Sequence, residues 1–235
     1  MGLSKEEEGR QFRVIYEAFY GWPRIFVKDM AELLHISPEM ASNKIKKAIL
    51  LGWISRPQIR RRIFANLKEF VYILRCKNPV KFFSEFVDDE NIIYHALTGG
   101  PGNLWVVTKK EMDFQCDVLI NGLRSDYHVS FAPDYSQETS MNYMWKAARE
   151  FNLKDYEPEG IIKSHRNETI EWDSEYEKLF GEFNHDLTKP ISPIMKRNLI
   201  SWTKVEKWLK NLSSYCTIIT HYYPGGIKSY DPYLF

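Results

Sequence analysis

Apolar positions near the start of the chain fall at helical spacing. Phe12, Ile15, Tyr16, Phe19 and Tyr20 recur three and four residues apart, predicting a helix that ends near Gly21-Trp22-Pro23. A second short helix is expected from Val27, then a turn at His35-Ile36-Ser37. Ser37 can cap the helix that follows through its hydroxyl, and Pro38 suits the first helical position. Ala41, Ile45, Ala48 and Ile49 form the apolar face of that helix, with Glu39, Ser42, Asn43, Lys46 and Lys47 opposite. Gly52 stops it. Trp53-Ile54 then opens a strand that ends in Arg60-Arg61-Arg62, read as a basic hairpin.

Further on the pattern changes to strands. Glu69–Arg75 is rich in β-branched and aromatic residues and is closed by Asn78-Pro79, and Val80–Val87 is amphipathic. Asn91–Thr98 and Leu104–Thr108 read as strands around a Gly99–Gly102 turn, Glu111–Leu123 as a helix, and Tyr127–Phe131 as a last strand. This is the β-α-β-β-α-β order of a ferredoxin-like domain. After Ala132-Pro133 the pattern loosens. Ser140–Phe151 is a candidate helix, and Asn152–Thr169 is polar and broken by Pro158 and Gly160.

Then the first pattern returns. Glu171–Gly181 superposes on Gln11–Gly21 at an offset of 160, pairing Tyr16 with Tyr176 and Gly21 with Gly181. With four more residues in the next loop, Ile36-Ser37 falls on Ile200-Ser201, and Ala41, Ile45 and Ala48 fall on Val205, Leu209 and Leu212. Loop insertions cost little, whereas the turn serine has a capping role. The expected fold is α+β. A winged helix-turn-helix occupies residues 10–66, a ferredoxin-like βαββαβ domain 67–133, a linker 134–170, and a second winged helix-turn-helix-like domain 171–235.

Charge sharpens the picture. The net charge is only +1, but between Arg10 and Arg62 eleven Lys and Arg stand against four Asp and Glu, a local excess of +7. Residues 63–165 sum to −4 and residues 166–235 to zero. Positive charge therefore sits on the first helix-turn-helix, as phosphate neutralisation would need. The chain has no run of eighteen apolar residues and its first ten residues carry no apolar signal region, so a cytoplasmic protein without membrane partners is expected. Cys76, Cys116 and Cys216 are odd in number and lie far apart, which fits reduced, packed thiols better than disulfides or zinc ligands.

A helix in the major groove reads base edges while flanking cations hold phosphates. The expected partner is double-stranded DNA. Ser37, Glu39, Met40, Ser42, Asn43, Lys44 and Lys47 are placed on or near the bases, with Asn43 able to contact adenine through two hydrogen bonds. Arg56, Arg60, Arg61 and Arg62 are expected on phosphate or in the minor groove, from the wing. In the second copy Lys196, Arg197, Lys204, Lys207 and Lys210 could bind phosphate, but Trp202 and Trp208 point equally to a structural role. The six histidines are dispersed, and no GxSxG, Walker or GxGxxG motif occurs. Neither catalytic nor metal-binding residues, and no cofactor, are expected.

This order of parts, with its Ala-Leu-Thr-Gly and Asn-Leu segments around Gly99–Gly102, resembles the Lrp/AsnC, or feast/famine, family of transcriptional regulators. In that family the turn between the second and third strands of the effector domain carries a Thr-Gly-x-x-Asp-Leu pattern. Leu97-Thr98-Gly99 and Asn103-Leu104-Trp105 stand in those places, with one glycine added and Asn in place of Asp. The resemblance implies a dimeric, sequence-specific regulator, with a small-molecule effector at Thr98, Gly99, Gly100, Gly102 and Asn103. It extends more weakly to Asp173, Tyr176, Leu179, Asp186–Pro190 and Ile200-Ser201. Siroheme decarboxylases resemble the same regulators and share the Asn-Leu-Trp strand, so an enzyme using His95 or His128 as proton donor is one alternative. A protein-interaction scaffold built from winged-helix units is another.

Overall fold

The computed structural model describes residues 4–126, 128, 130, 132–133, 137–152 and 164–230. Helix α1 (Lys5–Gly21) begins earlier than its apolar spacing requires, because Ser4 and Glu7 form a reciprocal capping box. It buries Phe12, Ile15, Tyr16 and Phe19. α2 (Val27–Leu34) ends on His35 in the left-handed region, φ 53°. α3 (Pro38–Leu50) starts on Ser37, whose Oγ accepts from the Met40 N–H at 3.3 Å. Ala41 and Ala48 of α3 are buried. Strand β1 (Gln58–Arg61) follows.

Next come β2 (Phe70–Arg75), α4 (Pro79–Glu85), β3 (Ile92–Leu97), β4 (Leu104–Thr108) and β5 (Asp117–Leu123). Helix α5 (Gln137–Glu150) precedes a second helical set: α6 (Ser174–Phe183), α7 (Ile191–Asn198), α8 (Trp202–Lys210) and the short α9 (Leu212–Tyr215). Strand β6 (Cys216–Ile219) comes last. The mixed α+β composition agrees with the sequence pattern. Among the described residues, no helix is long and apolar enough to cross a membrane.

Internal contacts divide the chain into two compact units, one of residues 1–61, 129–158 and 172–235, the other of residues 62–128 and 159–171. The first unit holds both helical sets, and their local geometry repeats. Leu199, like His35, is left-handed, at φ 57°, and Ser201, like Ser37, caps the next helix, accepting from the Lys204 N–H at 3.3 Å. Val205 and Leu212 are buried where Ala41 and Ala48 are. These pairs all stand 164 positions apart, which is the register with the longer second loop.

The hairpin expected after α3 does not form. β1 pairs instead with β6, antiparallel, from Gln58↔Ile219 to Arg61↔Cys216. The ribbon continues beyond the strands: Ser55 N–H donates to the His221 carbonyl at 3.1 Å, Tyr223 N–H to Trp53 at 2.7 Å, and Ile227 N–H to Gly52 at 2.8 Å. Periodicity marks a strand but not its partner. Here the partner is the other copy's equivalent segment, and pairing with it buries Ile54, Ile59, Ile219 and Tyr222. Tyr222 enters the core of the first set, its ring 5.7 Å from that of Tyr16 and its hydroxyl donating to the Gly9 carbonyl at 3.0 Å. Gly226 makes the turn possible. Its φ is +90°, and a Cβ there would lie 2.5 Å from the Leu51 carbonyl oxygen.

The second unit is built on a four-stranded antiparallel sheet of order β3-β4-β2-β5. Tyr72, Leu74, Leu104 and Val106 face Phe82, Phe83 and Phe86 of the α4 region and Phe114. One sequence-based expectation fails here. Residues 111–123 are not a helix, since Asp117–Leu123 is edge strand β5, joined to β4 by a short connection. Cys116, Leu119, Ile120 and Leu123 mimic helical spacing. However, Val118 and Ile120 favour strand, Gly122 disfavours helix, and pairing with β2 satisfies the backbone. The expected strand at Tyr127–Phe131 falls largely outside the described residues. A second correction concerns the thiols. Cys76, just after β2, is disulfide-bonded to Cys116 in the connection, while Cys216 is free and buried.

Candidate nucleic-acid interface

Helix α3 is anchored from beneath and open above. Its core side packs Ala41 and Ala48 against α1 and α2. Its other side exposes Glu39, Met40, Asn43, Lys46, Lys47 and Leu50, which share one stripe at three- and four-residue spacing. Ser37 is exposed at the N-terminus, while Ser42 and Lys44 flank the stripe, half-buried. Ser37, Glu39, Met40, Asn43 and Lys47 are thus brought together as expected. Lys46, expected on this polar face, belongs to the same stripe, and Leu50 extends it. Lys47 forms an ion pair with Glu8 of α1, which takes part of its charge out of play.

The wing arginines separate. Along the strand Ile59, Arg61 and Ile63 are buried, and Arg60 and Arg62 between them are half-exposed. Consecutive strand residues point to opposite faces, so a run of three arginines cannot act as one cluster. Arg61 is a correction to the expected phosphate set. Its side chain is 6% exposed, Nη1 donates to Glu177 Oε2 at 2.7 Å, and the guanidinium lies 5.6 Å and 5.4 Å from the Trp172 and Phe180 ring centres. It ties β1 to α6. Arg56 is exposed but braced, 3.3 Å from Thr188 Oγ1 and 3.5 Å from Asp186 Oδ2. Arg62 opens the other unit.

The second helical set has the same local shape and different electrostatics. Lys204 sits against Asp173, 3.6 Å from Glu175 Oε2 and 4.5 Å from the Tyr176 ring centre. That hydrogen bond from Lys204 is the main reason the Asp173 carboxyl titrates below the usual range, and the ordinary lysine value is raised in return. Arg197 is bound to Glu182 at 2.6 Å, and Lys210 to Glu206 at 3.1 Å. Trp208 is buried and Trp202 exposed. Cations on this set are therefore largely matched by nearby carboxylates.

In the sheet, the β3–β4 turn uses its own polar groups. Thr98 Oγ1 donates to the Gly102 carbonyl at 2.9 Å. Asn103 works as a strand extension, its Oδ1 accepting from Cys76 N–H and its Nδ2 donating to Cys76 O, both at 2.8 Å. Gly100 has φ +96°, and at Gly102 a Cβ would lie 2.3 Å from Ile73 Cγ2, so both glycines serve the turn's geometry. Gly99 lies beside them in the same turn. The hydroxyl of Thr98 and the amide of Asn103 are thus engaged within the fold. His95 packs edge-on to Phe83 and Phe86, at 4.5 and 6.1 Å. Among the described residues, no three His, Cys, Asp or Glu side chains gather as a metal would need.

Among the solved structures that resemble the chain are three regulators. E. coli AsnC is 19% identical over 42% of this chain and 70% of its own, with a TM-score of 0.33. B. subtilis LrpC is 12% identical over 63% and 89%, TM-score 0.33. An AsnC family transcriptional regulator from Agrobacterium tumefaciens is 16% identical over 71% and 97%, TM-score 0.30. These names are those of the family that the sequence motifs resemble. No family model and no curated protein matches the sequence.

Proposed function

We propose that the chain is a sequence-specific DNA-binding regulator with one reading helix per chain, α3. The carrying observation is the exposed stripe Glu39, Met40, Asn43, Lys46 and Lys47, on a helix capped by Ser37 within the segment that holds the positive excess. A helix presented this way enters the major groove by its N-terminal half. Asn43 pairs with adenine, Ser37 and Lys44 lie near the backbone, and Ser42 contacts either. Arg56 and Arg60 add positive charge from the same unit. Arg61 takes no part, being held by Glu177. α8 is not a reader, because its neighbourhood is neutralised. Its helical set serves instead as the internal partner that completes the wing.

Homodimerisation belongs to this reading. One face of the sheet carries Val71, Ile73, Tyr94, Trp105, Val107 and Ile120, and Tyr94 and Ile120 are 49% and 63% exposed. The same face on a second copy would cover it isologously and supply a second α3 for the other half-site. No effector is assigned to the β3–β4 turn, since its hydroxyl and amide are engaged internally.

The test is equilibrium binding to duplexes enriched by selection from random sequence. Affinity should fall steeply as salt rises. Asn43→Ala should cost about 1–3 kcal/mol and relax preference at one base pair. Salt-insensitive binding, or none, would sink the reading. A scaffold remains the second reading, favoured by Met141, Met144 and Trp145 of α5, which are 43%, 64% and 62% exposed. It predicts a stable protein partner that needs α5 and no DNA binding.

A further inference from the structure

The first unit contains a cavity of about 810 Å³ between the Gly21–Phe26 loop and α2 on one side and α8, α9 and β6 on the other. Its walls are mainly apolar, formed by Trp22, Phe26, Leu33, Leu187, Leu209 and Ile218. A space of this size falls in the range of small-molecule sites. The internal repeat explains why it is open. The register of 164 equates Ser213 and Ile218 of the wall with Ile49 and Ile54, and around Ile49, Ile54 and His185 the corresponding space is only about 270 Å³. The loop before α7, residues 184–190, is two residues longer than the loop before α2, residues 22–26, and it places His185 in that wall and Asp186 and Thr188 against Arg56. The shorter loop, with Ser213 opposite in place of an isoleucine, leaves the first copy's side unfilled.

The charged groups in the wall select a ligand class. Asp29 and Glu32 lie nearly one turn apart on α2, both exposed and in no ion pair among the described residues. Arg24 is also in the wall, but its guanidinium is committed. It donates to the Leu187 carbonyl and, at 3.1 Å, to that of Lys189, and it lies 5.4 Å from the Phe183 ring centre. Two carboxylates therefore stand against one cation that is already engaged. Trp22 and Phe26, 65% and 76% exposed, add ring faces beside the opening. Aromatic faces, apolar walls and carboxylates together favour a positively charged apolar molecule over an anion of the same shape. We propose that this cavity is a binding site for a hydrophobic monocation. The site is separate from the DNA-reading stripe of α3, so neither assignment depends on the other.

Tetraphenylphosphonium and tetraphenylborate share a shape and differ in charge, which makes them the probes. Each is titrated calorimetrically into the full chain and into Ser213→Trp, which fills the cavity from an exposed position. Leu33→Trp does the same from α2, and circular dichroism confirms that both variants fold. The Ser213→Trp-sensitive part of binding is the quantity compared. Tetraphenylphosphonium should bind and raise the melting temperature, as a ligand that prefers the native state must. Tetraphenylborate should bind at least tenfold more weakly. Asp29→Asn with Glu32→Gln should erase that preference, with only a slight fall in melting temperature without ligand from the carboxylate lost in the first turn of α2. The proposal is overturned if the phosphonium fails to bind, if both ions bind equally, or if filling the cavity changes neither.

Discussion

Arg60, Arg61 and Arg62 are three identical side chains of which only the middle one is buried. The alternation of an extended chain sets Arg61 apart from its two neighbours, and it is present in the sequence as Ile59-Arg-Arg-Arg-Ile63. Reading the run as one basic cluster ignored it. Arg61→Ala should remove about 2 kcal/mol of stability in chemical denaturation. That lies below the usual cost of breaking a buried pair, because Glu177 is itself 46% exposed and keeps its solvent. Arg60→Ala should lower the slope of DNA affinity against salt by about one unit. Gly226 gives a second test at this scale. Gly226→Ala forces a Cβ towards the Leu51 carbonyl at a positive φ, and should cost about 3 kcal/mol in the same assay.

Helix boundaries and caps were legible because they are local. Ser37 and Ser201 cap as their positions suggested, and strand Leu104–Thr108 begins and ends where the pattern placed it. The reading failed where a distant partner decides the outcome. β5 is a strand because β2 offers it an edge, and the Cys76–Cys116 bond depends on how that edge places the β4–β5 connection. The disulfide closes a loop of 40 residues, so reduction should weaken the sheet by about 2–4 kcal/mol, read as a fall in denaturation midpoint that Cys76→Ser with Cys116→Ser reproduces.

The second helical set gives a pH test. Asp173 caps α6, accepting from Tyr176 N–H at 2.9 Å, and the hydrogen bond from Lys204 holds its carboxyl below the usual value. Folding therefore favours the ionised form. This stabilisation is complete at neutral pH and is lost as pH falls through the carboxylate range. Melting temperature should drop on acidification below about pH 4, and less so in Asp173→Asn.

At the scale of the whole molecule, the repeat was legible from Tyr16/Tyr176 and Ser37/Ser201, but its consequence was not. The two copies exchange wing strands, so that β1 of one segment and β6 of the other form one ribbon. No local pattern states which of two compatible strands will pair. The two sets also differ in charge: α3 exposes Lys46 beside Lys47, which is paired with Glu8, whereas Arg197, Lys204 and Lys210 of the second set each meet a carboxylate. Dimerisation through the sheet would then bring two α3 helices to DNA. Ile120→Lys should leave a folded monomer in light scattering and weaken binding to a two-half-site duplex far more than to a single half-site.

The most direct measurement reverses charge on each helix in turn. Salt-dependent DNA affinity is compared for the unaltered chain, for Lys46→Glu with Lys47→Glu on α3, and for Lys207→Glu with Lys210→Glu on α8. The α3 change should abolish binding, while the α8 change should alter affinity by less than about threefold, a free-energy difference under about 1 kcal/mol. Equal loss from both, or loss from α8 alone, would contradict α3 as the reading helix.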